Sequence, residues 1–537
     1  MLNAHIEGKH IILTGDLRGE FQQFHDLPAI WDGKSRVLVP NLKENRQRFG
    51  LEEAKMEAVP IEGPFIVDGY QFKRRPYDHQ LKEWQQTRDE TAWGHLFEQG
   101  TGKSKVTIDE ASWLYQTGAI EAVVIVAPNN VHANWARNEF PAECNIDWTA
   151  AVYFASGVEN FGNPAVKGLK VFCFNIEGFV SEKAKLMLER ILKTYTCMLV
   201  VDESSRIKTH SALRTKFMLR MAPLARYRRI LSGTPVTQGM EDLYCQFQFL
   251  DPGILACRTF YTFRARYCRM GGFKNKQIIG YLNIDELQER IGKHSTRVLK
   301  QDCLDLPAKI YQTLPFRLSP EQQRLYNAVR LESLLELEEL IGAGKTLQVV
   351  SEMAMTRILR LQQITSGLMP ETDGLPIPGK NARMEALMDR LEDLPGKAII
   401  FARFRADIEN ICKHLPQGSF VQLHGGTKTN ERMEAVRSFQ EDPHIRYFVG
   451  NPAAAGIGIT LTAAEAVIYY SQDFNLEYRL QSEDRAHRIG QTKHVLIIDL
   501  IAEKTVDEKI VKALRAKHSL AKMILKDPAG FIGDSNA

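Results

Sequence analysis

Two series of short apolar runs, each separated by helix-like segments, dominate this sequence. The first series consists of HLF (95–97), VVIVA (123–127), KVFCF (170–174), CMLVV (197–201) and RRILS (228–232). The second consists of KAIIFA (397–402), GSFVQL (418–423), IRYFVG (445–450), AVIYY (466–470) and HVLIIDL (494–500). Strands of a parallel sheet are apolar at nearly every position because helices cover both faces of the sheet. The pattern therefore predicts an α/β protein with two tandem parallel-sheet units.

The stretches outside these runs divide the rest of the chain. Residues 1–68 lack helical periodicity and predict a small β-rich accessory module. The first α/β unit is predicted over 69–255, followed by a helical segment with few strand candidates over 256–375. The turn-rich stretch ETDGLPIPGK then leads into the second unit, predicted over 376–537. Within it, residues 509–526 carry six Lys or Arg and no acidic residue, which predicts an amphipathic C-terminal helix bracing the lobes. The basic face of this helix is equally compatible with exposure to solvent and with binding to DNA.

Composition excludes several classes of protein. Hydrophobic residues make up 44% and charged residues 25% of the 537 residues, which excludes a disordered chain and a collagen-like fibre. The net charge of +4 identifies no partner by itself. The eight cysteines form no CxxC pair, the first residues lack a signal-peptide pattern, and no apolar run reaches the roughly 20 residues that cross a bilayer. We therefore expect a soluble, cytoplasmic protein with reduced cysteines and no membrane partner.

A glycine-rich loop after the first apolar run has the pattern of a phosphate-binding loop. The string GTGKS (100–104) follows HLF and precedes a helix-like segment. Backbone N–H groups of such a turn bind phosphates together with the N-terminus of the following helix. Lys103 is predicted to reach the β- and γ-phosphates of ATP, and Ser104 to ligate Mg²⁺. The first glycine of the full pattern is missing, because Phe97 occupies that position.

A second string of the same kind serves as a comparison. GAGKT (342–346) matches the short pattern equally well, but it follows a Leu/Glu-rich helical run instead of a strand. Because the strand–turn–helix context is absent, we predict a break between two helices there.

Charged residues at other positions complete a candidate catalytic set. Asp202 and Glu203 follow the run CMLVV. Asp202 is predicted to hold Mg²⁺ through water, and Glu203 to orient and deprotonate the attacking water. The alternative is an ordinary acidic loop. Arg485 and Arg488 are three residues apart, so on a helix both project from one face and are predicted to stabilise the transferring phosphate. The alternative for this pair is a solvated helix with internal ion pairs.

Six segments, taken in order, resemble the ATPase motor of the Swi/Snf-type DNA translocases of helicase superfamily two. They are GTGKS (100–104), APNNVHANWARNEF (127–140), DESSRIK (202–208), LSGTP (231–235), AAGIGITLTAA (454–464) and QSEDRAHRIGQ (481–491). The likeness runs from Arg75 to about residue 515, and its last motif is highly specific. The resemblance implies two RecA-like lobes with ATP and Mg²⁺ between them and duplex DNA across both.

The resemblance also assigns roles to individual residues. Gln80 matches the glutamine that binds adenine, with Arg75 and Tyr77 beside it. The other nucleotide, metal and catalytic residues that it implies are Gly100, Thr101, Gly102, Lys103, Ser104, Asp202, Glu203, Gly458, Arg485 and Arg488. Ser104 and Asp202 are the implied metal ligands. Gly456 and Gly458 match a second-lobe motif that couples the nucleotide to DNA.

The sequence departs from the family pattern at several positions. Ser205 replaces a histidine of the acidic box, so we expect altered coupling but intact hydrolysis. Thr460 stands where many members have Asn, Phe474 replaces a Trp, and Thr237-Gln238-Gly239 replaces the usual Asn after GTP. The Thr460 form resembles the distant branch that includes fork-remodelling annealing helicases. The leader segment 27–45 faintly resembles small modules that precede the motor in that branch, an unrelated β-rich cap being the alternative.

Contacts with the DNA backbone are predicted on both lobes. In the first lobe, Asn130, His132 and Asn134 lie on a loop and helix start, where amides and backbone N–H groups bind phosphate without reading sequence. Trp135 is predicted to be a core residue, with a stacking platform as the alternative. The corresponding second-lobe residues are Arg403, His424, Gly425, Thr460 and Thr462. The basic stretch RMGGFKNKQIIGY (269–281) is equally compatible with a hairpin toward DNA and with a solvated loop.

These features favour a DNA-dependent ATPase that translocates on double-stranded DNA without strand separation and remodels DNA or protein–DNA complexes. The expected ligands are ATP, Mg²⁺ and duplex DNA, with a DNA-bound protein as a remodelling target and a monomeric motor. Such a compact chain favours a bacterial or viral remodeller. The alternatives are a strand-separating RNA or DNA helicase and a non-enzymatic, ATP-gated clamp. The intact Lys103, Glu203 and arginine pair count against the clamp.

Overall fold

The chain folds into two compact units, Met1–Phe65 and Ile66–Ala537. The structure, a computed structural model, describes residues 2–7, 10–15, 30–31, 37–40, 64–129, 131–162, 167–236, 239–271, 277–303, 306–345, 347–370, 372, 374–427, 429–455, 459–488 and 490–516. The first unit contains the strands β1 (Leu2–Glu7), β2 (His10–Gly15), β3 (Ile30–Trp31) and β4 (Val37–Pro40). They form an antiparallel sheet in the order β1–β2–β4–β3. The sequence predicted a β-rich module over 1–68, and the division between the units falls at Phe65.

The first half of the larger unit is built on an eight-stranded sheet. The strands of this half are β5 (Phe65–Val67), β6 (Tyr70–Phe72), β7 (Ala92–Phe97), β8 (Ala122–Ala127), β9 (Trp148–Phe154), β10 (Gly157–Phe161), β11 (Leu169–Asn175), β12 (Cys197–Asp202), β13 (Tyr227–Leu231), β14 (Cys268–Gly271), β15 (Gln277–Tyr281) and β16 (Ser295–Val298). The order across the sheet is β10–β9–β11–β8–β12–β13–β7–β16. All neighbours are parallel except β9 and β10. β5 pairs with β6, and β14 pairs with β15 as an antiparallel hairpin.

Helices flank this sheet, and together they form the first lobe. They are α1 (Asp78–Thr87), α2 (Lys103–Gln116), α3 (Val131–Asn134), α4 (Phe140–Glu143), α5 (Glu182–Thr194), α6 (Leu213–Met221), α7 (Leu243–Leu250), α8 (Phe260–Tyr267), α9 (Ile284–Gly292) and α10 (Lys300–Cys303). A π-helical turn at Trp135–Glu139 joins α3 to α4. Short 3₁₀ turns occur at Ile176–Val180, Ser204–Ile207, Ala222–Leu224 and Met240–Asp242.

The central strands of this sheet are buried at every residue. Successive side chains of a strand point to opposite faces. Accordingly, Val124 and Val126 of β8 pack in one apolar cluster, and Val123 and Ile125 pack in another. Both faces of the sheet are therefore covered, which explains the uninterrupted apolar runs of the sequence.

The second half contains a six-stranded, all-parallel sheet, which with its helices forms the second lobe. The elements are β17 (Lys309–Phe316), α11 (Pro320–Gly342), α12 (Leu347–Thr365), α13 (Ala382–Glu392), β18 (Lys397–Phe401), α14 (Arg405–His414), β19 (Phe420–Leu423), α15 (Thr429–Glu441), β20 (Tyr447–Gly450), α16 (Pro452–Ala455), β21 (Ala464–Tyr469), α17 (Leu476–Ala486), β22 (Val495–Ala502) and α18 (Val506–Arg515). The order across the sheet is β17–β22–β21–β18–β20–β19. The predicted α/β class with two lobes built on parallel sheets is therefore confirmed, apart from the antiparallel pair β9–β10.

The segment 256–375, predicted as helical with few strands, contributes a strand to each sheet. β16 pairs with β7 at one edge of the first sheet, and β17 pairs with β22 at one edge of the second. An edge strand has one neighbour and one exposed side. Ile310 and Tyr311 of β17, for example, are each 49% exposed. Such strands lack the continuous apolar run that identified the central ones, so the prediction for this segment needs correction.

The long helices α11 and α12 form a pair that packs against α18. Ile510 and Leu514 of α18 are buried in one cluster with Leu337 of α11 and Leu361 of α12. GAGKT begins at the end of α11, so the predicted break between two helices is found there. Of the predicted bracing helix over 509–526, the structure describes the part within α18, and residues 517–537 lie outside the described residues.

Two expectations from composition concern membranes and cysteines. None of the helices in the described ranges combines the length and the apolar character needed to cross a lipid bilayer. All eight cysteines lie in the described ranges as free thiols, six of them buried.

Candidate active site

The residues that the sequence assigned to ATP surround one cavity of about 450 Å³. Its volume lies in the usual range of ligand pockets. The predicted residues that border it are Arg75, Tyr77, Gln80, Gly100, Gly102, Lys103, Ser104, Asp202, Glu203, Arg485 and Arg488. Thr101 is fully buried beside it, whereas Gly456 and Gly458 lie outside the described residues. The cavity opens at the carboxyl ends of β7 and β12, where ligands of α/β sheets bind.

The loop between β7 and α2 needs both of its glycines. Gly100 and Gly102 adopt the left-handed conformation, with φ values of +80° and +92°. A Cβ atom on Gly102 would lie only 2.0 Å from Nε2 of Gln80, and one on Gly100 would lie 3.0 Å from Cβ of Arg488. Conformation and space therefore both exclude a side chain at Gly102.

Lys103 begins α2 and folds back over the loop. Its Nζ donates hydrogen bonds to the carbonyl oxygens of Phe97, at 2.9 Å, and Glu98, at 3.4 Å. Burial lowers the pKa of Lys103, and the nearby carboxylates of Glu203 and Asp202 oppose that shift. The ammonium group is thus held in place by two neutral acceptors.

Asp202 and Glu203 end β12 in a constrained geometry. Asp202 Oδ1 accepts a hydrogen bond from the backbone N–H of Glu203 at 3.0 Å, and its Oδ2 accepts one from the indole N–H of Trp135 at 2.9 Å. Glu203 has a positive φ of 52°, a strained value for a residue with a side chain. Burial raises the pKa of Glu203 to about 7, and the charge on Lys103 opposes this rise. Burial also raises the pKa of Asp202, whereas the hydrogen bond from Trp135 lowers it.

The residues predicted to lie beside adenine form hydrogen bonds with the glycine-rich loop. Gln80, on α1, donates from Nε2 to the carbonyl oxygen of Thr101 at 3.1 Å and accepts from the backbone N–H of Tyr77 at 3.0 Å. The Tyr77 ring is 47% exposed and stacks on the His79 ring. His79 Nε2 lies 2.8 Å from the same Thr101 carbonyl oxygen. The glutamine therefore positions the loop as well as bordering the cavity.

The second lobe contributes both arginines. Arg485 donates from Nη1 to Ile459 O at 3.3 Å and from Nη2 to Gln99 Oε1 at 3.1 Å, which crosses the cleft to the first lobe. Arg488 donates to the Thr460 hydroxyl at 2.9 Å. Burial and the neighbouring Arg488 lower the pKa of Arg485 to about 10, so the group remains a cation at neutral pH. The alternative of a solvated helix face is wrong for Arg485, which is buried, and both arginines border the cavity. Arg488 lies beyond the end of α17 at Ala486, so the prediction that both project from one helix face needs correction.

Further residues to which sequence analysis gave no role also border this cavity. Among them are Gln99, Glu139, Arg206, Glu477 and Gln481. Glu139, Arg206 and Gln481 lie inside quoted motifs, which was the available signal. Burial raises the pKa of Glu139, while the charge on Arg488 opposes that shift.

Two of the sequence's departures from the family pattern contact other parts of the chain. The Ser205 hydroxyl lies 3.5 Å from Glu477 Oε1 of α17, so the acidic box reaches the second lobe directly. Phe474 lies against the guanidinium of Arg403, whose central carbon is 3.9 Å from the ring centroid. Thr237 and Gln238 are outside the described residues.

First-lobe residues predicted to contact DNA lie in unexpected environments. Asn130 is outside the described residues. His132 is fully buried, with its ring against Phe154, because α3 turns it toward β9. Its predicted side-chain contact with DNA therefore needs correction. Asn134 donates to Glu139 at 3.0 Å and borders the cavity described above. Trp135 is buried, as predicted for a core residue.

The second-lobe residues predicted to contact DNA divide into three groups. Arg403 donates to Gln362 Oε1 at 2.9 Å and so is held against α12. Thr460 accepts a hydrogen bond from Arg488 and borders the same cavity, and Thr462 accepts one from Gln440. Gly425 is exposed, and the neighbouring His424 is half-buried. For these last two, contact with DNA stays a prediction.

Comparisons with known proteins agree with this geometry. The family model of the SNF2-related domain matches residues 38–368, and that of the helicase conserved C-terminal domain matches residues 380–490. The chain is 26% identical to the ISWI chromatin-remodeling complex ATPase CHR11 of Arabidopsis thaliana over 443 residues, 80% of this chain and 40% of that protein. It is 28% identical to the DNA annealing helicase and endonuclease ZRANB3 of Mus musculus over 348 residues, 63% of this chain and 31% of that protein.

Among solved structures, the Sulfolobus solfataricus SWI2/SNF2 ATPase core in complex with dsDNA is similar. It has 24% sequence identity and a TM-score of 0.38, covering 87% of this chain and 97% of that chain. The chain spans less than half the length of the two curated relatives. Because the SNF2-related domain alone accounts for residues 38–368, more than half of the 537 residues, the chain belongs to the SNF2-related family of helicase-like ATPases.

Proposed function

We propose that this chain is a DNA-dependent ATPase that translocates along double-stranded DNA without separating its strands. The observation that carries the proposal is the composition of the cavity. Lys103, Asp202 and Glu203 of the first lobe and Arg485 and Arg488 of the second lobe border one space. A site shared by two lobes changes when its ligand binds or leaves, so ATP turnover can drive their relative motion.

The residues present fit a magnesium nucleotide. Glu203 Oε2 is buried and has no hydrogen-bond partner among the described residues, which leaves it available to a water molecule. The Ser104 hydroxyl and the Asp202 carboxylate supply the oxygen ligands that Mg²⁺ prefers. Mg²⁺ held there would neutralise charge on the β- and γ-phosphates.

The chain's own groups would then act as follows. Lys103 exchanges its two carbonyl acceptors for phosphate oxygens, because a lysine binds a charged acceptor more strongly than a neutral one. Glu203 accepts a proton from the attacking water through Oε2. Arg485 and Arg488 stabilise the charge on the transferring phosphoryl group. The bonds from Gln80 and His79 to Thr101 hold the loop in position throughout.

The names of the relatives support a remodelling role. One is a chromatin-remodeling ATPase and another is a DNA annealing helicase. We therefore include remodelling of DNA, or of a protein bound to it, in the proposal, with a monomeric motor acting in the cytoplasm.

Duplex DNA is expected to stimulate ATP turnover more strongly than single-stranded DNA or RNA, and the chain is expected not to unwind a tailed duplex. Binding to phosphates releases condensed counterions, and their release gains less entropy when the surrounding salt is more concentrated. The half-saturating duplex concentration should therefore rise steeply with ionic strength. Phosphate release with each nucleic acid, at several salt concentrations, measures both effects. Equal stimulation by single strands would favour a strand-separating helicase, and turnover near zero with duplex would favour an ATP-gated clamp.

Trp135→Phe is expected to weaken the effect of Mg²⁺ on nucleotide binding by about tenfold, as is typical when a hydrogen-bond partner of a metal ligand is lost. The change keeps an aromatic ring in the core but removes the N–H that holds Asp202 Oδ2. The measurement compares the affinity for a fluorescent, non-hydrolysable ATP analogue with and without Mg²⁺. Trp113→Phe is the matched control, because that indole also donates to an aspartate, Asp89, at 2.9 Å, but away from the cavity. An unchanged Mg²⁺ effect in Trp135→Phe would show that Asp202 needs no such support.

A further inference from the structure

Gln99, just before the first glycine of the phosphate loop, bridges the two lobes. Its Nε2 donates to Glu203 Oε1 at 3.2 Å, and its Oε1 accepts from Arg485 Nη2 at 3.1 Å. The partners fix the orientation of the amide, since a carboxylate only accepts and a guanidinium only donates. One side chain therefore contacts both the glutamate and the arginine to which the proposed function gives chemical roles.

The stem of Gln99 is also held from behind. A Cβ atom on Gly233, in the SGTP loop, would lie 3.2 Å from Gln99 Cγ and 3.3 Å from its backbone nitrogen. The loop after β13 thus approaches Gln99 closely enough to limit its movement away from the cleft. Three separate segments fix this side chain: the SGTP loop, the end of β12 and α17.

The position of a neutral amide between these two charges has a physical consequence. Glu203 and Arg485 carry opposite charges in one largely buried cavity and attract each other. Arginine and carboxylate readily form a bidentate pair with two parallel hydrogen bonds. Such a pair would occupy both carboxylate oxygens and the guanidinium donors that a phosphate needs. With Gln99 between them, each group has one hydrogen bond to the amide, and Glu203 Oε2 has no hydrogen-bond partner among the described residues.

We propose that Gln99 is a positioning residue that keeps Glu203 and Arg485 from pairing with each other and aims both at the nucleotide. This role rests on the proposed function, because it presupposes that Glu203 acts on water and Arg485 on phosphate. It adds a cross-lobe link through which closure of the cleft brings the arginine and the carboxylate into register at the same moment.

The test replaces the two halves of the amide separately. Gln99→Glu keeps a hydrogen-bond acceptor for Arg485 but places a negative charge beside Glu203. Gln99→Lys keeps a hydrogen-bond donor for Glu203 but places a positive charge beside Arg485. Gln99→Met keeps the length of the side chain but can form neither hydrogen bond. Steady-state kcat and KM for ATP with saturating duplex DNA are measured together with the affinity for a non-hydrolysable ATP analogue. The control is Gln248→Met on α7, which removes a single glutamine bond, to Cys257 O, away from the cavity.

All three Gln99 variants are expected to lower kcat by about tenfold or more, the effect of losing one to two hydrogen bonds, while KM and analogue affinity stay within about twofold of wild type. Gln248→Met is expected to match wild type. A wild-type kcat in Gln99→Met would overturn the positioning role and leave the proposed function standing. Parallel loss of kcat and analogue affinity would also overturn it, since that result indicates a distorted loop. A wild-type chain without duplex-stimulated turnover would overturn both.

Discussion

Glu203→Gln is expected to reduce ATP turnover by a factor on the order of 10²–10⁴, the usual contribution of a general base, with nucleotide and DNA binding retained. The substitution preserves the shape of the side chain, and its amide still presents an oxygen or a nitrogen to Gln99. What it removes is the ability of the unpartnered Oε2 position to take a proton from water. Phosphate release, fluorescent-nucleotide binding and a DNA-binding assay on the same preparation separate chemistry from binding.

The matched control for this experiment is Glu121→Gln. Glu121 precedes β8 at the opposite, amino end of the same sheet, where its carboxylate accepts a bond from the Thr196 backbone at 2.9 Å. Both variants lose one carboxylate from the first lobe, but only one lies at the cavity. Turnover by Glu203→Gln comparable with that of Glu121→Gln would mean that another group activates the water.

Arg485→Ala is expected to lower turnover by a factor on the order of 10³–10⁵, the effect seen when an arginine finger is removed from a phosphoryl-transfer site. Analogue binding should change much less, because the phosphate loop and the adenine-side residues belong to the first lobe. Arg485→Lys should recover only part of the loss, since an ammonium keeps the charge but not the planar fork that contacts Ile459 and Gln99 together. Single-turnover kinetics at saturating ATP measures the chemical step directly.

Arg437→Ala is the control for the second lobe. Arg437 is an exposed arginine paired with Glu434 on its own helix, α15, and does not border the cavity. The Arg437→Ala variant should hydrolyse ATP at the wild-type rate. If Arg485→Ala did so as well, the second lobe would have no direct part in the chemistry, and the two-lobe mechanism would fail.

The sequence predicts the central strands well for a physical reason. Strands such as β8 and β12 are covered on both faces, so nearly every residue is apolar and the run is easily recognised. Strand ends are where α/β sheets bind ligands, so the loops GTGKS and DESS indicate a candidate site, and the structure places both at one cavity. The edge strands β16 and β17 need not be apolar at every residue. Because their composition is mixed, the sequence did not distinguish them from the surrounding segment, which was predicted to be helical.

Contacts between distant segments could not be predicted in the same way. Gln99 and Arg485 are 386 positions apart, and no pattern within either segment indicates that their side chains form a hydrogen bond. The same holds for Arg403, whose contacts with Phe474 and Gln362 join segments that are distant in the sequence. The direction in which α3 turns His132 depends on packing against β9, which residue type alone does not reveal.

The neighbouring strands β16 and β17 belong to different sheets, so the larger unit passes from one sheet to the other in the ten residues between Val298 and Lys309. Ten residues span at most about 36 Å when fully extended, and the four that form α10 rise only about 1.5 Å each. The connection therefore limits how far the two halves can move apart. Any closing of the cleft between them is a unimolecular event that needs no diffusional search, and its rate is independent of how dilute the protein is.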